Sequence, residues 1–265
     1  MKKPLDQPIA IGRTAEVFAW EDGQVLKLYR DWCPPDWVER EAQIARAVYA
    51  AGIPSPLAGE VVEVDGRRGI VYERVDGPDM LEALKTSPLN VAVFARQLAQ
   101  LHLTMHRSAN DSLPSQRGSM VWSIEHAKNL PDDLRRPILK RLETLPDGSQ
   151  LCHGDFHPAN VIISPRGPVI IDWMTAVRGH PAADVARTRL LLTIGDPPQG
   201  GFYRLLILAM RGNYFRTYLD EYRRGAPEVV RLSDAFIPIM AAARLNEEIA
   251  PERERLLKLA SVVNA

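Results

Sequence analysis

Short apolar runs separated by turn residues fill the first 75 positions, and helical periodicity takes over after them. PIAIGRTAEVFAW, QVLKLYR, LAGEVVEV and RRGIVYERV are rich in branched and aromatic residues, with EDG and DGR as turns, a pattern that predicts a small antiparallel sheet. PPDWVEREAQIARAVYAAG reads differently. Val38, Ile44 and Val48 share a helical face, two prolines precede them and Gly52 offers a stop, so one helix is expected among the strands. Beyond ERVDGPD, Leu98, Leu101 and Met105 mark the apolar side of a helix from about Asn90 to Arg107. Further helices are expected over Pro131 to Leu145, Ala182 to Leu192, Tyr203 to Tyr222, Val229 to Glu248 and Glu252 to Val263. A hinge near Glu73 to Pro78 would part a lobe of residues 1–75 from a mainly helical lobe of residues 76–265.

One segment breaks the helical pattern. VIISPRGPVIIDW reads as two apolar strands around an SPRG turn, with Asp172 at the end of the second. Just upstream, CHGDFHPANVII gathers His153, Asp155, His157 and Asn160. A hairpin here would set the Asp155 to Asn160 loop at its entrance and Asp172 at its exit.

Composition narrows the class of protein. The 265 residues are 46% hydrophobic and 25% charged, a globular balance, and 33 basic against 33 acidic side chains give no global field for nucleic acid or anionic lipid. Cys33 and Cys152 fit reduced, buried thiols better than a disulfide scaffold. MKKPLDQPIA lacks a signal-peptide core, and LLILAM is too short to span a bilayer. A cytoplasmic protein with neither nucleic acid nor membrane as partner is expected; the oligomeric state is open.

The polar cluster admits two chemistries. His153, Asp155 and His157 alternate, as ligands of a transition metal in an extended strand would, but Gly154 and Pro158 favour an irregular loop. Phosphoryl transfer instead needs a carboxylate at the acceptor hydroxyl, oxygen ligands for magnesium and donors for the phosphates. Asp155, Asn160 and Asp172 supply the first two.

HGDFHPANVII resembles the catalytic loop of the aminoglycoside phosphotransferase and choline kinase-like family of the protein kinase-like superfamily, and VIIDW resembles its magnesium-binding strand end. The resemblance implies an α+β, bilobal kinase-like fold with a small antiparallel-sheet N-terminal lobe and a mainly helical C-terminal lobe. It implies ATP and magnesium as cofactors, with ATP-Mg between the lobes, Asp155 as catalytic aspartate, and Asn160 and Asp172 as metal ligands. Lys27 in QVLKLYR would steady the phosphates, and Glu41 in EREAQIARA would pair with it, although Glu39 and Glu21 are also available. Gly12 and Thr14 fall where the family places its phosphate-covering loop, here with a single glycine, and Arg13 beside them is read as facing water. Glu73 and Val75, in YERVDG, would offer backbone groups to adenine.

The two loop histidines are expected to shape the loop. His102 and His106 have metal-pair spacing but resemble a packed family helix and stay outside the metal set. Asp184 is expected to brace the helix after the site. Met174 and His180 stand where relatives often carry acidic residues. The function implied is transfer of the γ-phosphoryl group of ATP to a hydroxyl of a small molecule, such as an aminoglycoside, amino alcohol or sugar-like metabolite. Glu221, Asp234, Glu247 and Glu248 offer acidic contacts for such an acceptor, interrupted by Arg223, Arg224, Arg231 and Arg244. A metal-dependent phosphohydrolase built on the His-Asp-His run and an inactive nucleotide-binding regulator are the alternatives.

Overall fold

A computed structural model describes residues 7–109, 112–195 and 201–264. Strands β1 (Ala10–Ile11), β2 (Ala15–Ala19) and β3 (Gln24–Tyr29) lead into helix α1 (Pro35–Ala50), followed by β4 (Ala58–Val64) and β5 (Arg67–Glu73). These five strands form one antiparallel sheet in the order β1-β2-β3-β5-β4. The two-residue period of β3 divides its side chains. Leu26 and Leu28 pack with Phe18, Val64 and Val71 on one face, while Tyr29 on the other meets Val38, Ala42 and Ala45 of α1. Lys27 shares that second parity.

The chain continues through α2 (Met80–Thr86), α3 (Val91–Met105), α4 (Gln116–His126), α5 (Asp132–Thr144), β6 (Gln150–Cys152), β7 (Val161–Ser164), β8 (Gly167–Ile170) and β9 (Val177–Gly179). Helices α6 (Pro181–Thr193), α7 (Gly201–Gly225), α8 (Pro227–Arg244) and α9 (Arg253–Ala260) complete it. The contacts group these elements into two units, one of residues up to Pro78 plus Val161–Met174, the other of Asp79–Asn160 plus Thr175 onward.

In the first unit the β7-β8 hairpin is tied to the sheet segment by backbone bonds. The N–H of Ile163 donates to the Pro78 carbonyl at 2.9 Å and that of Ile170 to the Pro54 carbonyl at 2.7 Å. Gly77, at φ 142°, lets the chain pass so close that a Cβ there would meet the Ile163 carbonyl oxygen at 2.2 Å.

The second unit buries a core between α4, α5, α6, α8 and α9, with Ile138, Leu190, Phe236 and Ile239 among its residues. Helix α6 is buried almost all round; Ala182, Ala183 and Ala186 let its neighbours approach closely. β6 pairs antiparallel with β9, which closes the chain around the polar loop between β6 and β7. Helix α8 stops at Arg244, four residues short of its expected end, because a 3-10 turn follows and Glu248 adopts a left-handed φ of 55°. No helix among the described residues is long and apolar enough to cross a membrane.

Candidate active site

In the first unit Lys27 sits at the centre of β3 with its Nζ 2.6 Å from Glu41 Oε1 and 2.8 Å from Asp172 Oδ1. Glu41 is 1% exposed and also accepts hydrogen bonds from the hydroxyls of Tyr29 and Tyr72, so Lys27, Tyr29 and Tyr72, all from β3 and β5 of the sheet, satisfy this buried carboxylate. Burial by itself would lower the Lys27 pKa, but the carboxylates of Glu41 and Asp172 more than reverse this and hold the ammonium protonated. Glu39, the competing acid, pairs with Arg68 instead at 2.7 Å. Asp172 carries a positive φ of 65°, a conformation that costs about 1–3 kcal/mol for a residue with a side chain. The strain is held by Trp173, 2% exposed, whose Nε1 donates to the Ile170 carbonyl at 3.3 Å. The Asp172 carboxylate remains half exposed beside Lys27, an arrangement suited to a hard cation and a phosphate.

Gly12 and Thr14 occupy the bend between β1 and β2. The Gly12 N–H donates to the Ala15 carbonyl at 2.8 Å, and Arg30 fixes the bend by donating to the carbonyls of Gly12 and Arg13 and, through its backbone N–H, to that of Thr14. At the end of β5 the Glu73 N–H donates to the Leu57 carbonyl at 2.9 Å and its side chain pairs with Arg166 at 2.6 Å. A base contact by Glu73 would therefore use its carbonyl, with Val75 two residues on.

The second unit holds the polar loop. Gly154 has φ 78°, and a Cβ there would meet the Thr175 carbonyl oxygen at 2.5 Å, so the chain needs glycine immediately before Asp155. The loop is braced from one face of α6. Asp184 accepts from the backbone N–H groups of His153 at 2.7 Å and Gly154 at 2.9 Å, Arg187 Nε donates to the Gly154 carbonyl at 3.1 Å, and Thr188 Oγ1 donates to the Phe156 carbonyl at 3.0 Å. Spacings of three and four put these side chains on one stripe of helix. Sequence reasoning found Asp184 but missed Arg187 and Thr188; their spacing from Asp184 was the available signal.

Asp155 itself is partly buried. Its carboxylate lies 3.5 Å from His157 Nε2 and 3.6 Å from Arg187 Nη2, and Asn160 Nδ2 approaches it at 3.4 Å while donating to the Asp155 backbone carbonyl at 2.8 Å. Burial raises its pKa, but the hydrogen bond and charge of His157, with Arg187 behind them, outweigh it and hold the group well below the usual carboxylate range. The amide nitrogen of Asn160 is the atom engaged with the loop, and its oxygen is the atom with the chemistry for a hard cation. His153 is fully buried and its Nδ1 accepts from the Asp155 N–H at 3.3 Å; His157 Nδ1 accepts from the Ala159 N–H at 3.3 Å. Both histidines hold the loop's backbone.

Among the described residues, the donors close enough to share one cation belong to another set, His102, His106 and Asp184, whose ligand atoms lie within 4.8 Å of one another. Each already has a hydrogen-bond partner. His102 Nε2 and His106 Nε2 sit 3.1 Å and 3.2 Å from Asp184 Oδ2, and their Nδ1 atoms face the hydroxyls of Tyr218 at 2.7 Å and Tyr222 at 2.6 Å. Burial, then the neighbouring His106, lowers the His102 pKa to about 3.

Comparison with known proteins identifies the family and the fold. Residues 7–227 match the model of the phosphotransferase enzyme family. Solved structures share the fold: an aminoglycoside-3'-phosphotransferase of type VIII (21% identity, TM-score 0.62, 91% of each chain) and the macrolide 2'-phosphotransferase MphH of Brachybacterium faecium (20% identity, TM-score 0.54, 96% of this chain and 93% of that one). A thermostable mutant of aminoglycoside phosphotransferase APH(4)-Ia, complexed with AMP-PNP and hygromycin B, shows 17% identity and a TM-score of 0.63 over 97% of this chain and 92% of that one. Among curated proteins, acyl-CoA dehydrogenase family member 11 of Gallus gallus is 28% identical over 174 residues and that of Homo sapiens 27% over 180, or 56% and 58% of this chain. The matches span only 22% and 23% of those longer proteins. An antiparallel-sheet N-terminal unit, a mainly helical second unit and the family match over most of its length make this chain a member of the phosphotransferase enzyme family, with the bilobal α+β fold of the protein kinase-like superfamily.

Proposed function

We propose that the chain transfers the γ-phosphoryl group of ATP to a hydroxyl of a small molecule in a magnesium-dependent reaction. The observation that carries the reading is the Lys27 ammonium held between Glu41 and a conformationally strained Asp172. Lys27 binds the nucleotide's phosphates, Glu41 fixes the lysine, the Gly12 to Thr14 bend contributes backbone donors, and Glu73 and Val75 offer backbone groups to the base. For magnesium, Asp172 is the proposed carboxylate ligand and Asn160 the proposed amide-oxygen ligand, a donor set of hard oxygens that fits this ion. When bound, the ion neutralises charge on the transferring phosphates.

Asp155 acts on the acceptor. The acceptor oxygen bonds to the γ-phosphorus as the bond to the bridging oxygen breaks, ADP departs with the electron pair, and the hydroxyl proton, directed at the ionised Asp155 carboxylate in the ground state, is released to solvent as the product forms. A carboxylate held so acidic is a weak base. Its contribution is to stay ionised and orient the hydroxyl, which suffices where the transition state is loose and little nucleophilic push is needed.

The solved neighbours carry aminoglycoside and macrolide names, and the curated relatives an acyl-CoA dehydrogenase name that describes far longer proteins. The proposal is tested by ADP formation across a panel of hydroxylated compounds. Turnover should require both an acceptor and magnesium and vanish on chelation; ATP-independent ester cleavage by protein carrying a bound transition metal would point to the phosphohydrolase reading instead.

A further inference from the structure

Helix α8 ends at Arg244, and the residues after it fold back onto that arginine. A 3-10 turn over Leu245–Glu247 follows the helix, and the left-handed φ of 55° at Glu248 turns the chain so that Glu252 returns to Arg244. Both side chains are buried, and Arg244 Nε and Nη2 donate to the two Glu252 oxygens at 2.5 Å and 2.8 Å, a forked pairing that fixes the guanidinium in place. Its Nη1 lies 2.9 Å from Glu247 Oε2. Glu247 Oε1 in turn accepts from Arg187 Nη2, and the Arg187 guanidinium also reaches Asp155. Glu252, Arg244, Glu247, Arg187 and Asp155 therefore alternate in sign, from a buried anchor to the polar loop.

Within this chain one nitrogen faces two carboxylates. Arg187 Nη2 is bonded to Glu247 and stands 3.6 Å from Asp155 Oδ1, beyond hydrogen-bond distance. Its Nε donates to the Gly154 carbonyl at 3.1 Å, which keeps the guanidinium at the loop. From there a movement of less than about 1 Å would bring Nη2 within the roughly 2.7–2.9 Å of a charge-assisted bond to Asp155. The other oxygen, Oδ2, is already approached by Asn160 Nδ2 at 3.4 Å and His157 Nε2 at 3.5 Å. Closure of the arginine would engage both oxygens and leave the carboxylate poorly placed to accept from an acceptor hydroxyl. Glu247 lies outside residues 7–227, the span matched by the family model. Expected from the sequence as an acidic contact for the acceptor, it has both oxygens on arginines instead.

We propose that Glu247 is a positioning residue for the transfer reaction: it competes with Asp155 for Arg187 Nη2 and so keeps Asp155 Oδ1 available to the acceptor hydroxyl. The consequence for catalysis rests on the phosphotransferase reading, whereas the competition between the two carboxylates does not. Neutralising Glu247 leaves the forked Arg244 to Glu252 pair intact, so the turn after α8 should stay in place.

The competition is tested by chemical denaturation of the full chain. Arg187→Met, Asp155→Asn and their double variant form a cycle, measured once with Glu247 present and once with Glu247→Gln. The coupling between Arg187 and Asp155, read from the unfolding equilibrium constants, should stay within about threefold of unity with Glu247 in place and become roughly tenfold stronger without its charge. Equal coupling in the two backgrounds, or weaker coupling with Glu247→Gln, would overturn the proposal. ADP formation from ATP-Mg, with choline, glycerol and kanamycin as acceptor probes, tests the consequence. Glu247→Gln should lower kcat by roughly tenfold with KM for ATP-Mg unchanged, and Glu247→Asp should recover most of the loss. In an Arg187→Met background Glu247→Gln should cost nothing further. An unchanged kcat, losses that multiply in that double variant, or a matching rise in KM would likewise overturn it. No phosphoryl transfer to any of the probes by the wild type would count against the proposed reaction, while the denaturation cycle still decided which carboxylate holds the arginine.

Discussion

Arg187 sets its guanidinium 3.6 Å from Asp155 Oδ1, and the same guanidinium is anchored by the Gly154 carbonyl and by Glu247. The arginine thus fixes the backbone just before Asp155 and, with His157, helps hold its carboxylate ionised well below the usual range. Because the folded pKa is depressed, the ionised form that the proposed reaction needs persists as pH falls through the ordinary carboxylate range. Arg187→Met should raise the pKa of the acidic limb of kcat/KM and lower kcat by roughly tenfold to a hundredfold, the scale of a misplaced reacting group. Arg187→Lys should restore part of both effects. A pH profile checks this; a merely structural role would lower activity without moving the limb.

Asp184 is fully buried and accepts from two backbone N–H groups and two imidazoles. Asp184→Ala strands all four donors, and the expected loss of stability is about 3–5 kcal/mol. Chemical denaturation measures it directly.

Acid should weaken the second unit through His102. Its folded pKa of about 3 lies below its ordinary 6.5, so protonation favours the unfolded chain. This contribution is complete above about pH 6.5 and drains away as pH falls toward 3, with a slope of about 1.4 kcal/mol per pH unit. His180, also lowered by burial first and then by His106, acts in the same direction. Unfolding free energies measured across this range should show the slope in the wild type and a flatter one in His102→Gln.

Lys27 and Glu41 should part company on substitution. Glu41→Ala removes the shared acceptor of two tyrosine hydroxyls and of a part-buried ammonium that keeps Asp172, and should cost about 1–3 kcal/mol of stability. Lys27→Met keeps the volume and leaves Glu41 bonded to the tyrosines, so the fold should persist while affinity for ATP-Mg collapses. Thermal melts and nucleotide titration separate the two.

The elements with strong periodicity were readable. The sheet and the hairpin at 161–170 follow from branched residues and turns, and the long helices from their apolar stripes. What escaped was set by tertiary context. Helix α2 has seven residues and depends on its Asp79 cap, whose side chain accepts from the Glu82 N–H at 2.8 Å; α4 carries Gly118 and a weak stripe; β6 and β9 are three residues each and pair across the loop. The hairpin's backbone ties to Pro54 and Pro78 could not be read from local pattern either. At the site, the need of Lys27 for a partner was visible from its place in the middle of a strand, while Glu41 was singled out from Glu39 and Glu21 by the family resemblance alone. The Arg187 contacts were not, because an arginine on a helix reads as solvated until the fold turns that face inward.

The proposed reaction comes down to Asp155. The most direct measurement is mass-resolved detection of a phosphorylated acceptor after incubation with ATP and magnesium, for the wild type and Asp155→Asn side by side. The expected result is a product heavier by one phosphoryl group for the wild type and its loss by roughly a hundredfold or more in the folded, nucleotide-binding variant. Equal product from both proteins would contradict the role assigned to Asp155, and ATP consumed by the wild type with no phosphorylated product from any acceptor would contradict the transfer itself.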